Sequence, residues 1–147
     1  MRRPRKVSDF RIQTHASKVP EKYRHLPSYN MSWSEGVVFL PTQAYRFEAE
    51  IPNWTRQPRL VIYENYYWHV ADFATGLGLP GCFGKDRDAA VLATLEVLDR
   101  VGEERFWKLQ AENEEIIKIA GARLNGEVLK LKPVAIPNFI ATQLSLL

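Results

Sequence analysis

Residues Arg59–Glu64 read RLVIYE and residues Tyr66–Phe73 read YYWHVADF, with Asn65 between them. β-Branched and aromatic side chains suit a pleated surface. Two such runs across so short a gap predict an antiparallel hairpin, with Asn65 at a tight turn. The following stretch, 74–85 (ATGLGLPGCFGK), holds four glycines and a proline and reads as a loop with special backbone needs. Asp86 is then a suitable N-cap for a helix on which Val91, Leu95 and Leu98 recur along one buried face. Gly102 ends that helix. Glu103 and Glu104 open a second, where the helix dipole favours acids. Phe106, Leu109, Ile116 and Ala120 carry its apolar stripe as far as Gly121. The order predicts an α+β domain: an antiparallel β-sheet with one or two helices packed on one face.

The remaining elements are weaker. Gly36–Leu40 (GVVFL) reads as a short strand closed by Pro41. Residues 42–51 alternate partly, through Ala44, Phe47, Ala49 and Ile51, and either helix or strand suits them. Pro52, Asn53 and Pro58 bracket a loop, and Asn125-Gly126 forms a turn. Glu127–Lys132 (EVLKLK) has the alternation and lysines of an edge strand. The last residues, NFIATQLSLL, are apolar enough to dock. The chain thus divides into an extended basic arm over 1–34, an α+β core over 35–121, and a C-terminal strand and docking tail over 122–147.

Charge is distributed unevenly along the 147 residues. The first thirty hold Arg2, Arg3, Arg5, Lys6, Arg11, Lys18, Lys22 and Arg24 against Asp9 and Glu21, a net of +6. The rest hold 12 basic and 15 acidic groups, a net of −3. Pro4, Pro20 and Pro27 interrupt this segment, and it shows neither helical nor strand periodicity. Ordering it costs roughly 1–2 kcal/mol per residue, which its scattered apolar groups do not offset. An arm of this kind is a disordered solubilising tail unless a polyanion holds it or it wraps back over its own domain. Its eight cations, interleaved with Phe10, His15, Tyr23 and Tyr29, have the composition of RNA-binding extensions. They are the candidate nucleic-acid contacts, acting on phosphates without reading sequence.

Other classes of function find little support. One cysteine, Cys82, excludes an intrachain disulfide and a cysteine-based zinc site, and fits a reducing compartment, cytoplasm or organelle matrix. No apolar run approaches the roughly 18 residues of a membrane span. MRRPRK shares the Arg-rich, acid-poor composition of organellar transit peptides, but Pro4 and Asp9 interrupt an amphipathic helix, so no removed presequence is expected. Asn30-Met-Ser and Asn53-Trp-Thr are chance matches to the glycosylation triplet. The Gly-rich loop lacks the Gly-Lys-Ser/Thr of a phosphate loop, and Asp86 and Asp88 put negative charge where a phosphate would sit. His69 and Asp72 stand three apart in a strand, so they point to opposite faces. His15 and His25 have no evident partner, and Cys82 no activating base. Glu112, Glu114 and Glu115 make a solvated helix face. Tyr63, Tyr66, Tyr67 and Trp68 are either core or a stacking platform for single-stranded nucleic acid, with packing the default. The expectation is a protein without catalysis, cofactor or metal.

Three stretches bear a family pattern: VIYENYYWHVADF, then LPGCFG, then KDRDAAVLATLEVL. Over residues 60–100 they resemble the core of HicB-type antitoxins, a partial double-stranded-RNA-binding-domain fold. There, two strands lead through Pro-Asp-Leu-Pro-Gly-Cys to a Gly-Asp-Thr segment that opens an Ala/Leu-rich helix. Leu79-Pro80-Gly81-Cys82 and the helix begun at Asp86 carry the likeness. Ala71 stands where the family has proline, Ala74–Gly78 is inserted, Arg87 replaces threonine, and Ala89 and Ala90 replace a glutamate pair. The resemblance implies a hairpin-plus-helix core that binds partners and lacks catalysis.

The function expected is therefore that of a structural or adaptor subunit in a nucleoprotein assembly of the ribosome-associated, including mitochondrial, type. Its arm meets structured RNA and its core meets neighbouring proteins, with no membrane partner. The alternative is a HicB-like antitoxin or phage-related inhibitor acting on a small toxin.

Overall fold

The hairpin forms, with its turn one residue later than expected. Leu60–Asn65 and Tyr67–Asp72 pair antiparallel from Leu60 opposite Asp72 to Asn65 opposite Tyr67, so the turn falls on Tyr66, in the left-handed region at φ 63°. The computed structural model describes residues 5–15, 37–119 and 124–126. In chain order the elements are β1 (Lys6–Val7), β2 (Arg11–His15), β3 (Val37–Pro41), β4 (Ala44–Arg46), β5 (Leu60–Asn65), β6 (Tyr67–Asp72), β7 (Gly78–Gly84), α1 (Arg87–Val101) and α2 (Glu103–Ile119). One antiparallel sheet of five strands runs β1-β4-β5-β6-β7, and β2 and β3 form a separate two-stranded ribbon. This is the α+β class that the sequence predicts.

Alternation along the hairpin assigns its two faces. Leu60, Ile62 and Val70 point to the helices, where they meet Leu79, Cys82, Ala90, Val97, Leu98 and Phe106. Val61 and Ala71 point the other way, against Phe10, Ile12, Ala44 and Phe73. The central strands are thus buried on both faces, with the helices on one side and the ribbon on the other.

The described part of the segment expected as an extended arm, residues 5–15, lies against the body. Residues 6–7 and 11–15 are strands of the body, and Phe10 and Ile12 belong to its core. A short ribbon needs only two inward side chains, too few to leave a readable period. Asn125 fastens it: its Oδ1 accepts from Arg11 N at 2.9 Å, and its Nδ2 donates to the Arg11 and Phe73 carbonyls at 3.0 and 2.7 Å. Gly76, at φ +70°, lets the strand approach, since a Cβ there would collide with the Arg11 carbonyl. The remainder of the arm, the predicted strand 127–132 and the apolar tail lie outside the described residues.

The stretch expected as a loop, 74–85, contains β7. Gly81 at φ +81° and a shift of register between His69 and Ala71 interrupt the alternation, so Leu79 and Cys82 both reach the helix-side core. Pro80 is tolerated because β7 is the edge of the sheet among the described residues. Asp86 caps α1 as expected, its Oδ1 accepting from Ala89 N at 2.8 Å. The fully buried face of α1 is Ala90, Thr94, Val97 and Leu98, rotated from the predicted stripe; Val91 and Leu95 lie at its flank. Gly102 ends α1 and donates back to the Leu98 carbonyl at 2.9 Å. On α2, Phe106, Leu109, Ile116 and Ile117 are buried together with Asn113, and Ala120 and Gly121 lie outside the described residues.

Buried Asp72 organises the turn into β7. Its Oδ2 accepts from Thr75 N at 3.1 Å and Thr75 Oγ1 at 2.7 Å, and Gln110 of α2 also hydrogen-bonds the carboxyl. Burial holds its pKa above the ordinary carboxylate range, with nearby Glu114 adding to the rise. A carboxyl whose folded pKa lies above its unfolded one stabilises the fold when protonated, and that contribution is lost as pH rises through the folded value. Asp72→Asn keeps an acceptor for Thr75 and removes the titration. It is expected to change stability at pH 7 by less than about 1 kcal/mol. In urea melts between pH 4 and 8, the part of the pH dependence due to this group should vanish. A pH profile identical to that of the parent would contradict the assignment.

Candidate anion-binding groove

Beside the short edge strand, residues 47–59 connect β4 to β5 without regular structure and are fixed by side chains. Gln57 accepts from Ile51 N at 2.7 Å and donates to the Ile51 carbonyl at 2.9 Å, and Ile51 itself is buried. Glu103, at the start of α2, accepts from Thr55 N, Thr55 Oγ1 and Arg56 N at 3.1, 3.0 and 2.6 Å. The Arg56 amide leads in holding the Glu103 carboxyl below its usual range. Trp107 Nε1 donates to the Arg56 carbonyl at 3.1 Å, and the Arg56 guanidinium lies 3.6 Å over the Trp107 ring. The connection therefore presents a firm wall.

Between that wall and β1 runs a groove of about 830 Å³. Arg5, Lys6, Arg46 and Arg59 line it, with Leu60, Val61 and Phe73 among its apolar floor and Gln57 and Pro58 on its side. Among the described residues no carboxylate lines it. Backbone pairing sets the cations: Arg46 N donates to the Arg5 carbonyl at 2.7 Å, and Lys6 lies opposite Tyr45. The Arg59 guanidinium sits 3.7 Å over the Phe73 ring. Toward the loop the groove continues into a space of about 420 Å³ that adds Glu48 and Glu50, where Arg5 Nε stands 3.8 Å from Glu48 Oε1. That ion pair is long and exposed, so it holds Arg5 weakly. Four cations over a partly apolar floor suit an anion whose charge is spread over several oxygens, because the floor lowers the local dielectric.

Of the eight cations predicted to contact phosphate, the structure brings Arg5 and Lys6 to this groove. Arg11 does not line it; its side chain is only 18% exposed and stands 3.7 Å from Asp9. Arg2, Arg3, Lys18, Lys22 and Arg24 lie outside the described residues. Arg46 and Arg59 are not among the sequence candidates. Arg46 ends β4 and Arg59 immediately precedes β5, and only the β1-β4-β5 pairing brings them together.

The other candidate residues fall elsewhere. His69 Nε2 lies 3.1 Å from the Asn65 carbonyl, and its ring sits between Tyr63 and Phe83 on the face away from Asp72. Cys82 is buried, and that burial pushes its thiol up to about 11, so it packs as a small hydrophobe. A second cleft, of about 480 Å³, opens at the start of α1, but Asp86 and Asp88 line it beside Arg46 and Arg87 and oppose an anion. Among the described residues no three His, Cys, Asp or Glu side chains gather to hold a metal, and no helix is long and apolar enough to cross a membrane. The LPGC segment of the HicB-type resemblance lies within β7, which follows the hairpin and precedes α1 in the chain. No family model, curated protein or solved structure matches the chain.

Proposed function

We propose that this protein is a non-catalytic subunit of a nucleoprotein assembly, of the ribosome-associated type, that holds RNA phosphates in the groove lined by Arg5, Lys6, Arg46 and Arg59. Arg2, Arg3, Lys18, Lys22 and Arg24 of the basic N-terminal segment add to the same polyanion contact, and the core meets neighbouring proteins. The observation that carries the proposal is the convergence of four cations, from three separate stretches of chain, on a groove whose described lining holds no carboxylate, Glu48 and Glu50 entering only in its continuation toward the loop. Such a cluster repels itself and is favourable only when counterions or a polyanion neutralise it. Release of the counterions condensed on the nucleic acid then drives binding.

The test needs point changes. Deleting the basic segment would also remove Phe10 and Ile12 from the core. The triple variant Arg5→Ala, Lys6→Ala, Arg46→Ala keeps the fold, because these side chains contribute charge rather than packing. Its affinity for a labelled RNA hairpin should fall about 30-fold or more at low salt. Its slope of log affinity against log salt should flatten by about 2, at roughly 0.7–0.9 for each phosphate left without its cation. Arg59→Gln should act in the same direction. An unchanged slope in the triple variant would remove the proposal.

A further inference from the structure

Tyr63 of β5, His69 of β6 and Phe83 of β7 lie in register across three adjacent strands, Tyr63 opposite His69 and His69 opposite Phe83. Their rings stack in sequence, with centroids 5.4 and 6.1 Å apart and planes inclined by only 23° and 29°. Tyr67 closes the row edge-on against Phe83 at 6.1 Å. The row occupies the sheet face away from the helices, at the turn end of the hairpin. It grades from a half-buried base to an open end. Burial pushes the Tyr63 hydroxyl up to about 12, whereas Tyr67 and Phe83 are 48% and 51% exposed.

Tyr66 at the turn adds a second observation. It has φ 63°, a conformation that glycine or asparagine adopts with far less strain than an aromatic residue. It is also 97% exposed, so its ring gains no burial within the fold. A bulky side chain held in a costly conformation and pointed into water has no explanation in packing. Tyr66, Tyr67 and Phe83 together place three exposed aromatic rings around one strand end.

We infer that the exposed rings at the open end of this row, Tyr66, Tyr67 and Phe83, form a stacking surface for unpaired nucleobases, so that the nucleic acid bound is single-stranded where it crosses the hairpin tip. The inference rests on the phosphate-binding groove proposed above and adds the class of substrate to it. Aromatic faces accept any base, and stacking on them requires bases that are not already stacked in a duplex. The two surfaces are complementary in kind: cations at the Leu60 end of β5 and aromatic rings at the Asn65 end. Along the strand they are separated by roughly 17–20 Å, a distance that a few nucleotides of an extended single strand can span.

The experiment compares a labelled uridine dodecamer with a labelled RNA duplex by fluorescence anisotropy, for the parent protein and for the variants Tyr66→Gly and Tyr67→Ala/Phe83→Ala. Tyr66→Gly relieves the positive φ and removes no buried surface, so its melting temperature should not fall and any weakening of binding is not a failure to fold. Both variants should bind the dodecamer about five- to hundredfold more weakly, the range for removing one to two base stacks. Their salt slopes should be unchanged, as should their affinity for the duplex. The groove variants weaken both probes and flatten the slope. If the aromatic variants bind the dodecamer within twofold of the parent while the groove variants weaken it, the stacking surface is overturned and the groove stands. That is also the result expected if the row docks on a protein. If the parent binds neither probe, both the groove and the stacking surface fall.

Discussion

Phe10→Ala should destabilise the protein by about 4 kcal/mol, as for other large-to-small changes of a buried aromatic. Phe10 is 2% exposed and stacks on Phe73 with ring centroids 6.2 Å apart. Its backbone carbonyl accepts from Thr42 N at 3.0 Å, which ties the segment before β2 to the chain just after β3. The truncated side chain would leave a void between the ribbon and the sheet, lined by Ile12, Val61, Ala71 and Phe73, and strands held by backbone pairing cannot collapse to fill it. Thermal denaturation should show a midpoint lower by roughly 10–15 °C for a domain of this size. Arg5→Ala, five residues earlier, should move the midpoint by less than about 2 °C, because its ion pair with Glu48 is exposed. Equal, small shifts for both would mean that Phe10 is not part of the core.

Asn125→Ala should cost a similar amount, about 3–4 kcal/mol, by another route. Here no large volume is removed. The change strips partners from the Arg11 amide, the Arg11 carbonyl and the Phe73 carbonyl. A buried polar group left without a partner costs about 1–3 kcal/mol, more than a typical hydrogen bond contributes when made. Asn125→Asp should be nearly as damaging. It keeps the acceptor for the Arg11 amide but sets a carboxylate against two carbonyl oxygens. Urea denaturation measures both, and hydrogen exchange gives the signature. Amides of β2 should lose protection ahead of those in β5 and β6, because the ribbon loses its fastening while the hairpin keeps its own ladder.

The parts of this fold that could be read in the sequence are those whose reasons are local. Asp86 as an N-cap, Gly102 as a stop, and Glu103 opening α2 need only a few neighbouring residues to make sense. The strands of RLVIYE and YYWHVADF declare themselves through β-branched and aromatic side chains, because half of each must be buried. β7 hid because Gly81 and Pro80 resemble loop residues, and only its place at the sheet edge makes a proline and a bulge acceptable there. β1 and β2 hid because their partners lie roughly 25–40 residues away and their inward side chains are few. For the groove, charge counting located Arg5 and Lys6. Arg46 and Arg59 stand 13 positions apart, and nothing short of strand order places them across from β1. The aromatic residues of the hairpin could be seen in advance. Which of them face outward could not, since that depends on the register joining Tyr63, His69 and Phe83.

The hydrogen bonds between Asn125 and Arg11 join residues 114 positions apart. Such separation costs little at equilibrium, since doubling a loop adds only about 0.6 kcal/mol, but it governs the order of events. During synthesis the N-terminal strands leave the ribosome first, while the side chain that fastens them is made only after both helices. Until then the segment bearing Arg5, Lys6 and Phe10 lacks that fastening and has only its pairing with β3 and β4. The hairpin and α1 can meanwhile assemble through contacts closer in sequence, which form sooner. The nascent chain thus carries Arg5 and Lys6 through the synthesis of both helices before the side chain that fastens the ribbon is made.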